Sequence, residues 1–123
     1  MENEFVNYSE AVDLKELGFD EECISVYITS NKEPYPMYRP YTLKEQSDQL
    51  LRPLYQQAFR WFRETHNIDS TVKELYKSTV KVGYYISIDQ YKGFKYMSDF
   101  DEYYKTYEEA ELECLKKLIA ITS

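Results

Sequence analysis

Residues Thr79 to Asp89 read TVKVGYYISID, and this stretch decides the fold class. Val80, Val82, Tyr84, Ile86 and Ile88 fall on every second position, with Lys81, Gly83, Tyr85 and Ser87 between them. A period of two belongs to a β-strand with one covered and one open face. Downstream, Asp89-Gln-Tyr-Lys-Gly93 has turn chemistry and Phe94 to Met97 returns as another strand. Upstream, Asp69 to Tyr76 reads as a weaker strand.

Helices bracket this run. Pro53 suits a first helical turn, and Leu54, Ala58, Trp61 and Phe62 then recur at i, i+4, i+7 and i+8, with Asn67 closing the segment. After the strands, Thr106 and Glu109 form the T-x-x-E capping box. Tyr107, Ala110, Cys114, Leu118 and Ile121 then lie along one stripe, widened by Leu115 and Ile119.

The first 52 residues read differently. Ser9 is a candidate N-cap for a short helix over 10–17, with Gly18 just past its end. Cys23 to Thr29 alternates and is rich in β-branched residues, as a strand is, and it is expected to add to a sheet edge. Asn31 to Tyr41, NKEPYPMYRPY, carries three prolines and is expected to be a surface loop. Thr42 to Leu51 reads equally as a helical turn or a lead-in.

The expected fold is α+β, in the order helix-strand-helix-strand-strand-strand-helix. Its antiparallel sheet has three or four strands, with the helices at 53–66 and 107–121 on one face. A length of 123 residues suggests a single domain, 1–123, with an N-terminal part at 1–52 and a core at 53–123. Such a chain buries about two-thirds of its unfolded surface, so it folds without a metal or disulfide. Cys23 and Cys114 are not in C-x-x-C spacing and His66 stands alone, so no zinc site or other cofactor is expected. Both cysteines read as core residues of a protein kept in a reducing cytoplasm. The acidic start MENEFVNYSE is no signal peptide, and no apolar run is long enough to span a membrane.

Charge is segregated. Between Asp99 and Glu113 stand seven acidic residues, Asp99, Asp101, Glu102, Glu108, Glu109, Glu111 and Glu113, against Lys105, which accounts for most of the net charge of −7. Such a surface repels phosphate and attracts basic partners. Glu108, Glu109 and Glu111 are explained in part as favourable charges at a helix N-terminus. Asp99, Asp101 and Glu102 precede the helix and read as solvated carboxylates rather than a cation site, since EF-hand spacing is absent.

Tyrosine is over-represented, with 14 Tyr against six Phe and one Trp, and most fall at strand and turn positions where the ring packs and the hydroxyl stays wet. Tyr103 and Tyr104 between carboxylates, and Tyr35, Tyr38 and Tyr41 in the proline-rich segment, have no evident core to enter, and tyrosine is enriched in interface centres. The candidate contact residues are therefore Asp99, Asp101, Glu102, Tyr103, Tyr104, Glu108 and Glu111, with Tyr35, Tyr38 and Tyr41 as a second set. No catalytic or metal residue is proposed, because no nucleophile–base pair and no phosphate-binding glycine loop is present.

The order helix, three strands, helix from Pro53 onward resembles the double-stranded-RNA-binding domain. In that family the last helix opens with a basic K-K-x-A-K motif. Here Tyr107-Glu-Glu-Ala-Glu111 keeps the alanine and inverts the charges, so the resemblance implies the topology and not RNA binding through this helix. Three strings, Asp13-Leu-Lys-Glu-Leu-Gly-Phe-Asp20, Tyr55-Gln-Gln-Ala-Phe-Arg-Trp-Phe-Arg-Glu64 and Tyr107-Glu-Glu-Ala-Glu-Leu-Glu-Cys-Leu-Lys-Lys-Leu-Ile119, resemble a group of small uncharacterised proteins of Bacteroidales phages and prophages. Glu22 stands where that group often has Pro. The resemblance implies a small cytoplasmic protein of an infected or lysogenic cell and carries no activity or site.

The functional expectation is a non-catalytic module that binds another, basic protein through the acidic, tyrosine-rich segment, in one form by imitating the charge of DNA. The alternative is a nucleic-acid-binding module using Arg60, Arg63, Lys73, Lys77 and Lys81, which a pI near 4.8 disfavours. An unpaired edge strand also leaves room for a homodimer.

Overall fold

The computed structural model describes residues 4–41, 49–90, 95–97 and 103–123, excluding the side chains of 37–41 and 95–97. The chain is α+β, in the order α1 (Tyr8–Glu16), β1 (Cys23–Ile28), β2 (Glu33–Tyr41), β3 (Gln49–Leu51), α2 (Tyr55–His66), β4 (Ile68–Lys77), β5 (Val80–Gln90), β6 (Lys95–Met97) and α3 (Tyr107–Thr122). It divides into two compact units, 1–58 with Ser123, and 59–122. The described strands form two antiparallel sheets, ordered β2-β1-β3 and β4-β5-β6.

In the first unit β1 is central, not an edge addition as expected from its sequence. Val26 pairs with Tyr35 on one side and Leu51 on the other. α1 starts at Tyr8 with extended Asn7 as its N-cap, so Ser9 lies inside the helix instead of capping it. Its end follows the sequence reading. Gly18 has φ +98°, its N–H donates to Lys15, and the next N–H, from Phe19, reaches back to Leu14. This is the Schellman arrangement that glycine permits at least strain. The core takes in Val6, Leu14, Phe19, Val26, Leu50 and Leu51. Phe5 bridges to Leu54, and the N–H of Val6 donates to the Pro53 carbonyl, which ties down the N-terminus.

The proline-rich segment is the strand β2 and not a loop. Arg52 donates its N–H to the Ser25 carbonyl, so Ser25 and Tyr27 turn their backbone groups toward β3, and Val26 and Ile28 turn theirs toward β2. Their partners Tyr35 and Glu33 therefore face β1, which leaves Pro34 and Pro36 facing away. A proline on an edge strand removes only an outward N–H, and so the ladder survives. The register breaks between Cys23 and Ser25, where residues 37–40 stand opposite Ile24 alone.

In the second unit β4 and β5 pair along their length, joined by a two-residue turn at Ser78-Thr79 with φ +58° at Ser78. α3 packs over both strands. Ile68, Ile86 and Ile88 are buried with Ala110, Cys114, Leu115 and Leu118 of α3. Ile86 and Ile88 occupy the covered face expected for them. Val80, expected on that face, is 63% exposed because it lies at the turn, beyond the helix. Asp89 and Gln90 extend β5, and the remainder of the expected turn, 91–93, lies outside the described residues.

In α2, Tyr55, Ala58, Phe59, Trp61 and Phe62 are buried, while Leu54 is half-buried ahead of the helix. Asn67, at φ +56°, closes α2.

Candidate protein-binding surface

The site is built around Gly83. At this position a Cβ would run into the carbonyl oxygen of Tyr104 and come within 2.7 Å of the Tyr103 ring. Glycine therefore admits the segment before α3 against β5. Tyr84 and Tyr104 then exchange two backbone hydrogen bonds, of 2.7 and 2.8 Å. Thr106 follows at once, and its hydroxyl accepts the Glu109 N–H at 3.1 Å, as the capping box requires. One short segment thus completes the sheet, covers Gly83 and starts the helix.

Around this end of β5 the tyrosines gather. The rings of Tyr84 and Tyr107 meet edge to face at 5.6 Å. Lys81 donates to the Tyr84 hydroxyl at 3.3 Å, and Tyr76, its cross-strand partner, donates to the Glu74 carboxylate at 2.6 Å. The acceptor carboxylate holds the Tyr76 phenol above its ordinary pKa, and the bond to Tyr84 raises that of the Lys81 ammonium. Tyr76, Tyr103 and Tyr107 remain 49%, 37% and 37% exposed, so much of each ring is available to a partner. Tyr107 is thus only partly a core residue, contrary to its place on the apolar stripe, because it precedes the part of α3 that packs on the sheet.

Tyr103 and Tyr104 lie in the segment that meets β5, and exposed Glu108 follows in the first turn of α3. Glu111, expected at a contact surface, is instead 5% exposed. Asp99, Asp101 and Glu102 lie outside the described residues. Tyr35 is 53% exposed on β2, in the first unit, while Tyr38 and Tyr41 are described only as backbone of that strand. Tyr76 and Tyr84 belong to the site and escaped the sequence reading. The signal for them was the turn at 78–79, which places both at one end of the hairpin.

Other candidates have plain roles. Cys23 and Cys114 are buried, and burial pushes each thiol up to about 12. His66 meets Trp61 edge to face at 5.0 Å and lies tilted against Phe62 at 5.7 Å. Among the described residues, no group of three or more His, Cys, Asp or Glu is placed to hold a metal ion. Arg63 lines a cleft of about 340 Å3 with Asn67, Asp69 and Asp89, so its charge sits among carboxylates. Lys73 shares the open face of β4 with Thr71 and Asp69, whereas Lys81 bonds Tyr84 on the α3 side, so these two lysines lie on opposite faces of the sheet. No described helix is long and apolar enough to cross a membrane.

No protein-family model, curated protein or solved structure matches this chain.

Proposed function

We propose that this chain is a small phage-type protein that acts without catalysis, binding another protein through the tyrosine-rich end of β4 and β5 and the first turn of α3. The observation that carries the reading is the set of tyrosines at this end of the hairpin: Tyr84 meets Tyr107 edge to face, Tyr76 stands opposite the Lys81 that bonds Tyr84, and Tyr103 lies against Gly83, with Tyr76, Tyr103 and Tyr107 each more than a third exposed. Tyrosine supplies broad contact area with two side-chain torsions to freeze and a hydroxyl that tolerates water. The acidic segment from 99 to 113 runs in sequence into the first turns of α3 and favours a partner with a basic surface.

Affinity capture from bacterial lysate, read by mass spectrometry, tests this. Wild type is run beside a Tyr76→Ala/Tyr107→Ala variant and a Glu108→Gln/Glu109→Gln variant. The tyrosine variant is expected to lose a partner that wild type retains. The charge variant is expected to hold it less well as salt rises. Retention of the same proteins by all three would overturn the reading.

A further inference from the structure

We propose that β4 is the edge through which two copies of this chain associate, pairing strand to antiparallel strand about a two-fold axis at Thr71. This inference is independent of the tyrosine surface. The two sheets treat their edges differently. The outer edge of β2 lacks N–H groups at Pro34 and Pro36. β4 spans ten residues without proline or glycine, and among the described residues no strand pairs with its outer side.

The direction of its backbone groups follows from β5. Tyr84 bonds Tyr104 on the side away from β4, so Tyr85, Ser87 and Asp89 face β4. Their partners Lys73, Thr71 and Asp69 commit their amides to β5. Ser70, Val72 and Glu74, between them, turn their N–H and C=O groups outward. Such a row is a template for an added strand.

Charge selects a second copy as the occupant. Centred on Thr71, antiparallel self-pairing sets Asp69 opposite the partner subunit's Lys73, and Lys73 opposite the partner subunit's Asp69. Thr71 meets the partner subunit's Thr71, and opposite-charge and Thr–Thr pairs are both favourable across strands. Centring on Lys73 would oppose two lysines, and centring on Val72 would leave Asp69 opposite an apolar leucine. Asp69 stands directly opposite Asp89 within the sheet, Arg63 lines the cleft beside both, and Asp89 pairs onward with Lys95. The partner subunit's Lys73 brings a further cation to the outer side of Asp69.

Sedimentation equilibrium of the full chain, from about 1 µM to about 500 µM, is the test. The expected mass rises with concentration toward twice the 14.8 kDa chain. Val72→Pro removes one outward donor and is expected to stay monomeric with an unchanged circular dichroism spectrum. Asp69→Lys and Lys73→Asp are each expected to weaken association about tenfold, and the double exchange to restore it. Amide exchange at Ser70, Val72 and Glu74 is expected to slow as concentration rises. A monomer throughout the range, a Val72→Pro chain that dimerises like wild type, or a double exchange without recovery would each overturn the proposal.

Discussion

The guanidinium of Arg52 lies 4.2 Å from the centroid of the Phe5 ring, buried within the first unit. It also faces Tyr27 at 5.3 Å, and its Nη1 donates to the Ser25 hydroxyl at 3.2 Å. A flat, weakly hydrated cation suits this place, and an ammonium does not. Arg52→Lys keeps the charge and is expected to destabilise the protein by about 1–3 kcal/mol. Urea unfolding measures this. A change below about 0.5 kcal/mol would mean that the stacking contributes little.

Gly83→Ala is expected to be destabilising although alanine is the better strand residue. The added methyl has to displace the backbone of Tyr104 and the ring of Tyr103. Overpacking of this kind costs about 1–3 kcal/mol. Thermal unfolding is the readout, together with the amide exchange of Tyr84 and Tyr104, which should quicken as their bridge opens.

Thr106→Ala removes the acceptor for the Glu109 N–H and should cost about 1 kcal/mol. Thr106→Ser keeps the oxygen and is expected to recover most of it. Equal losses in the two variants would show that the methyl group matters and the cap does not.

Alkaline pH should weaken the fold through its thiols. Burial raises Cys23 and Cys114 from an ordinary value of 9.0 to about 12. The unfolded chain releases these protons near 9 and the folded chain holds them. The contribution to stability is therefore complete below about pH 9 and is lost as pH rises toward 12. The slope in that window reaches about 1.4 kcal/mol per pH unit for each thiol. Urea midpoints between pH 8 and 10 should fall more steeply for wild type than for Cys114→Ala. Iodoacetamide at pH 8 should modify both thiols in urea and neither in the native protein.

The sequence was most readable where one local rule decides the outcome. Gly18, Asn67 and the Thr106 capping box mark helix ends because each acts within a few residues of itself. Ile86 and Ile88 show their covered face by alternation alone. β2 was hidden because a proline is compatible with a strand only when its nitrogen points outward, and that depends on which side β1 occupies. Arg52 and Glu111 were hidden because hydropathy assigns charged residues to water, whereas these two are 6% and 5% exposed. Of the candidate site, Tyr103, Tyr104 and Glu108 were legible from charge and ring content. Tyr76 and Tyr84 join them only through a hairpin whose bulge lies between Leu75 and Tyr76.

Gly83 also selects the alignment of the strand that bears it. The alternating pattern of β5 would look much the same after a slip of two residues, since apolar positions would replace apolar positions. Such a slip would bring Lys81 or Tyr85 beneath the Tyr104 carbonyl, where a Cβ has no room. A single missing side chain thus acts as a notch, and only one alignment of the segment leading into α3 fits it.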